Sequence, residues 1–180
     1  SMGPWIQKFN GRQNKALPDT VMISSPARHP SAGFFDPTFS PLPIGDPNRG
    51  LENTTPPAYL AEGSFDQRMA LINKFDKKFR EKYKVKKVQA YTDFYSQATT
   101  LQSSGDLKMF DLNEEKNEYR DRYGRDTFGQ GCLLARRLIE AGARFVTINQ
   151  AVQGGLFGEG KTNGTWDNHG WLFDSMMSFG

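Results

Sequence analysis

The chain of 180 residues has little of the chemistry that marks the commonest site types: one cysteine and only two histidines. A lone Cys132 excludes an internal disulfide framework. Its place on the apolar side of a predicted helix fits a small core residue better than a nucleophile with a base beside it. No apolar run approaches the roughly 20 residues of a membrane span. No signal peptide is visible at the start, which says little about compartment because the natural beginning need not be Ser1-Met2-Gly3-Pro4-Trp5. There is no internal repeat and no low-complexity tract. A net charge of +3 is too small to argue for nucleic acid, whose binders usually concentrate basic residues on one face.

What the sequence does have is organised around Thr127 to Gly170. Thr127 reads as a helix N-cap with Gln130 three residues on, and Gly142 supplies the left-handed residue past the last turn. Phe128, Cys132, Leu134, Ala135, Leu138, Ile139 and Ala141 cover more than one face of that helix, which predicts burial. The run Arg144-Phe145-Val146-Thr147-Ile148-Asn149 then reads as a strand covered on both faces. A helix feeding such a strand through a tight turn predicts an α/β domain with a mostly parallel sheet. Ligands of open sheets of that class bind outside the carboxyl ends of the strands. A glycine-rich loop, Gln150 to Gly170, leaves from that end.

Residues 1–63 are rich in proline and glycine and contain one predicted short strand, Thr20 to Ile23. The rest of that segment reads as ordered loop with aromatic anchors such as Phe34 and Phe35. His29, flanked by Arg28 and Pro30, reads as a surface residue. Residues 64–124 read as helical. Ser64 with Gln67 makes a capping-box pattern, and Phe65, Met69, Ile72, Phe75, Phe79 and Tyr83 recur at helical spacing as a packing stripe. The opposite face carries Lys74, Lys77, Lys78, Arg80 and Lys82, interrupted by Asp76 and Glu81, and reads as solvated. A second helix, Val88 to Leu101, predicts a hairpin with the first. Asn113 reads as the cap of a third, which ends at Tyr123-Gly124. Residues 125–180 complete the chain as helix, strand and loop.

Two motifs compete in the loop. Gly155 to Thr162 satisfies the phosphate-binding pattern G-x-x-x-x-G-K-[ST], with Lys161 and Thr162 in the phosphate and magnesium roles. Asn163-Gly164 follows at once and no apolar helical pattern comes after, so the helix N-terminus that such a loop needs is missing. The other motif is Asp167-Asn168-His169. Residues two apart in an extended segment face the same side, so a carboxylate and an imidazole can converge on one ion. That donor pair suits zinc, manganese or iron and makes up about half of a zinc site. A turn in which Asp167 accepts backbone hydrogen bonds is the alternative.

Trp5, Leu17-Pro18, Gly33-Phe34-Phe35, Asp46-Pro47-Asn48, Phe110-Asp111-Leu112, Tyr123-Gly124-Arg125, Phe128-Gly129-Gln130, Leu133 to Leu138, Ala141 to Val146 and Trp166-Asp167-Asn168-His169-Gly170 occur in that order along the chain. Together they resemble the bacterial family called domain of unknown function 1501, itself distantly similar to the alkaline phosphatase and sulfatase superfamily. The resemblance implies an interior piece of a partial alkaline-phosphatase-like α/β fold, with a mostly parallel sheet and an inserted helical hairpin. It implies a single incomplete domain over residues 1–180, whose other segments belong to a parent chain. Asp167 and His169 would be the middle pair of ligands to a divalent metal (zinc, manganese or calcium). A small-molecule or polymer phosphate or sulfate ester would be the substrate, and a periplasmic or secreted location is implied. The nucleophile and remaining ligands would come from elsewhere. Where the family reads Trp-Asp-Thr-His-Gly this chain has Asn168, and its loop from Ala151 to Thr165 is longer. Alone, such a piece is expected to be inactive. It is also expected to expose apolar surface where missing strands belong, unless the helical hairpin covers it.

Overall fold

A computed structural model describes residues 2–23, 31–52, 54, 64–83 and 85–149. The chain divides into two units, Ser1–Ile148 and Asn149–Gly180, and apart from Asn149 the described residues belong to the first.

Among the described residues the sheet of that unit has three strands, β1 (Thr20–Ile23), β2 (Leu42–Ile44) and β3 (Phe145–Ile148), in the order β2-β1-β3, all parallel. An α/β class with a parallel sheet is therefore what the chain adopts. β1 is buried at all four positions because it has a neighbour on each side. β3 is only half-buried along its length, short of the two-face burial its β-branched run predicts, because among the described residues it is an edge strand. β2 was not legible in the sequence. Leu42-Pro43-Ile44 follows another proline, and such a segment reads as loop; at an edge, the missing N–H of Pro43 costs no ladder bond with a further strand.

Helix α1 (Gly3–Asn10) was also missed within the proline- and glycine-rich segment. Pro4 lies in its first turn, where a missing N–H is harmless. A Cβ on Gly3 would come 2.8 Å from Thr20 and 3.2 Å from Phe145, so glycine lets α1 approach both β1 and β3. Trp5 of α1 stacks on Phe9 at 5.6 Å and meets Phe35 edge-on at 4.8 Å, so Phe35 packs as the loop reading expects, whereas Phe34 stays 80% exposed.

Two longer helices follow, α2 (Ser64–Lys82) and α3 (Lys86–Ser103), with a cleft of about 350 Å³ between them. Ser64 opens α2 as predicted, but its buried hydroxyl makes no hydrogen bond, so the capping box does not form. After α3 the chain makes two short 3-10 turns, Gly105–Phe110 and Leu112–Glu114. It then forms α4 (Asn117–Tyr123), entered at Lys116 rather than Asn113 and closed by Gly124 at φ 86°.

Helix α5 (Thr127–Glu140) is the centre of the core, with Leu133, Leu134 and Leu138 fully buried against Val21, Ile23, Ile44, Phe110 and Leu112. Its N-cap is Asp126, one residue before the predicted Thr127. The Asp126 carboxylate accepts from the backbone N–H of Phe128 and Gly129, both at 2.9 Å. Gly142, at φ 108°, turns the chain into β3 as expected. A buried Arg137 ties α5 to the preceding turns. It donates to Glu115 at 2.6 Å and to the carbonyl oxygens of Met109 and Lys108 at 3.1 and 2.9 Å.

Candidate functional site

Parallel strands place all their carboxyl ends on one edge, and here the last residues at that edge are Ile23, Ile44 and Ile148. With β1 between β2 and β3, the chain leaves β1 toward one neighbour and returns on the other side. That reversal is the geometry at which open sheets build ligand crevices. The first turn of α5 packs on the same edge: a Cβ on Gly131 would touch Ile23 and Ile148, each at 3.4 Å.

The described side chains at this edge form a polar network that local spacing did not reveal. Arg120, near the end of α4, donates through Nε to Gln130 Oε1 at 2.8 Å. Its Nη1 reaches Asn113 Oδ1 at 3.2 Å and its Nη2 reaches Asn48 Oδ1 at 3.1 Å. Gln130, completely buried, answers by donating to the carbonyl oxygens of Arg120 and Gly124. The helix-capping role predicted for Gln130 is therefore replaced by a tertiary one. Asn48 sits in the turn after β2, which Asp46 holds by accepting from the Asn48 N–H at 2.9 Å.

All three acceptors of Arg120 are neutral amides, and among the described residues it has no ion pair. A guanidinium has five N–H donors, of which these bonds use three. The arrangement is a fixed positive charge with two N–H groups unused, suited to an anionic group. Beside it lies a polar cleft of about 260 Å³ whose lining includes Asn48, Arg49, Asn113 and Thr54, together with the acidic Asp111. The first-turn amides of α5, the other natural anion site, are already occupied by Asp126.

Cys132 is half-buried rather than buried, and it is not an activated nucleophile. Burial pushes its thiol above the ordinary value and the Asp126 carboxylate adds to that. On the opposite, amino edge Asp19 is buried with no well-formed hydrogen bond to its carboxylate oxygens; the Gln13 backbone N–H approaches it only in poor geometry, and the nearest cation is Arg12 Nε at 3.5 Å. Burial raises its carboxyl above the usual range, against the pull of Arg12 and Arg144.

The predicted metal ligands Asp167 and His169, the motif Gly155 to Thr162 with Lys161, and His29 lie outside the described residues. Among the described residues no group of three or more His, Cys, Asp or Glu side chains is placed to hold a metal ion. No described helix is long and apolar enough to cross a membrane.

A family model described as "Protein of unknown function (DUF1501)" matches residues 1–178. No curated protein and no solved structure matches the chain.

Proposed function

Because the chain belongs to the DUF1501 family, a family of unknown function, we propose a function from its own chemistry: it is part of a metal-dependent hydrolase of phosphate or sulfate esters. Asp167 and His169 supply two ligands to a divalent ion, zinc, manganese or calcium. The observation that carries the reading is the parallel sheet: the chain leaves β3 at its carboxyl end and runs into the segment that holds both residues. A carboxylate and a neutral imidazole are a donor set that zinc and manganese accept.

When bound, such an ion polarises the ester oxygen and offsets charge developing in the transition state. The chain's own part is to fix two ligands. Neither Asp167 nor His169 is assigned the role of nucleophile.

Metal content, measured after equilibration with zinc or manganese and exhaustive buffer exchange, tests the reading. The chain is expected to retain metal, and Asp167→Ala and His169→Ala are each expected to abolish retention. Metal that both variants still hold overturns it, and so does a longer protein, carrying the remaining ligands, that retains none. A nucleotide-binding role for Gly155 to Thr162 would instead appear as magnesium-dependent ATP binding lost in Lys161→Ala.

A further inference from the structure

Helical spacing predicts that the apolar residues of α2 pack. The structure instead leaves Phe75 70% and Phe79 52% exposed, together with Leu71, outside the predicted stripe, at 52%. These three stand four residues apart and form one ridge along the helix. Helix α3 lies across a cleft from a different face. Met69, Ile72, Asn73, Asp76 and Arg80 of α2 line the cleft shared with Thr92, Tyr95, Ser96 and Thr99. The exposed ridge lies outside that cleft.

A second ridge runs beside the first. Lys74, Lys78 and Lys82 are also four apart, each three residues after its apolar neighbour, so Leu71 adjoins Lys74, Phe75 adjoins Lys78 and Phe79 adjoins Lys82. All three lysines are exposed and none forms an ion pair among the described residues. Residues 64–87 hold nine Lys or Arg against three Asp or Glu, while the whole chain has a net charge of only +3. The positive charge is therefore concentrated on the helices that carry the apolar ridge.

A second copy of the chain would bring two strongly positive faces together. A nucleic-acid duplex, whose bases are stacked inside, would satisfy the lysines and leave two phenylalanines and a leucine in water. An interfacial helix on an anionic bilayer accommodates both ridges: apolar side chains enter the boundary between headgroups and acyl chains, and lysines meet lipid phosphates. We propose that the exposed face of α2 docks on an anionic lipid surface through Leu71, Phe75, Phe79, Lys74, Lys78 and Lys82. The helix lies on the bilayer, since it is too charged to cross it. This inference is independent of the metal reading.

Co-sedimentation of the full chain with vesicles tests it. Vesicles containing phosphatidylglycerol are expected to carry the protein down, and pure phosphatidylcholine vesicles are not. Added salt weakens the binding. The double variants Phe75→Ser with Phe79→Ser, and Lys78→Glu with Lys82→Glu, are each expected to bind roughly tenfold more weakly or worse. All four side chains are exposed, so helical content by circular dichroism is expected to stay unchanged and to separate lost docking from lost folding. Absence of binding to the anionic vesicles overturns the proposal. So does binding that the phenylalanine variant leaves intact, which would be adsorption by charge alone. A dimer in solution that the phenylalanine variant dissociates, with no vesicle binding by the parent chain, overturns it in favour of a subunit interface.

Discussion

Replacing Gly129 by alanine sets two effects of opposite sign against each other. Alanine in a helix is favoured over glycine by about 1 kcal/mol. At this position, however, a Cβ would fall inside the van der Waals envelope of the Tyr123 carbonyl oxygen and 2.8 Å from that of Gly124. Both obstacles are backbone and cannot rotate away. Moving them would also disturb the bond that buried Gln130 makes to the Gly124 carbonyl. Overpacking of this kind costs about 1–3 kcal/mol and more where backbone must shift, so the clash is expected to win by about 2 kcal/mol. For a chain of this size that lowers Tm by about 4–8 °C. Gly131, two residues on in the same helix, is the internal control. Its Cβ would make ordinary contact with Ile23 and Ile148 at 3.4 Å, so Gly131→Ala is expected to be neutral or stabilising by up to about 1 kcal/mol. Urea unfolding of the two variants beside the parent chain measures both. A Gly129→Ala protein as stable as the parent, or two variants shifted equally, would refute the placement of α5 against the end of α4.

Arg137→Ala removes a buried guanidinium that bonds Glu115 and two carbonyl oxygens. The loss expected in urea unfolding is about 3 kcal/mol, the lower end for a broken buried pair, because Arg136 remains 3.6 Å from Glu115. Arg137→Lys should recover little, since an ammonium cannot span the same three acceptors. Asp19 has a carboxyl raised in the folded state by burial, so the fold disfavours its ionised form. Its contribution is complete below the ordinary carboxylate range and is lost as pH rises through the raised folded value. Asp19→Asn is therefore expected to gain stability relative to the parent as pH rises across that interval; a relative gain on acidification instead would contradict the assignment. Cys132 is expected to react with a thiol reagent at neutral pH more slowly than free cysteine, and to accelerate only well into the alkaline range.

The elements that the sequence disclosed were those with signals at both ends. Thr20 to Ile23 forms a strand over the expected span because its β-branched run is bounded by turn residues, and α5 ends where Gly142 requires it to. Proline misled in two opposite ways. Pro4 opens a helix and Pro43 lies in an edge strand, yet both read as loop, although proline is excluded only from helix interiors and central strands. The lysine and apolar spacing of α2 was legible, but not that its apolar side would stay uncovered. Periodicity reports which residues share a face and not what stands opposite. The network at the carboxyl edge was out of reach for a related reason: Asn48 and Arg120 are 72 residues apart and no local pattern links them. For the candidate metal site, Asp167 and His169 were identified by type and spacing together with a family resemblance.

The position of β1 also bears on the order of assembly. One of its edges is filled by a strand about twenty residues away, the other by a strand that lies beyond the four helices α2 to α5 and pairs Thr20 with Phe145. The first pairing closes a short loop and the second a long one, so a chain emerging from the ribosome forms half of its sheet early and waits for the rest. Until Arg144 and Phe145 arrive to donate to the Asp19 carbonyl, at 2.8 and 3.0 Å, the apolar run Val21-Met22-Ile23 keeps an open edge. A nascent chain paused before that point is the form of this protein most exposed to strand-to-strand aggregation.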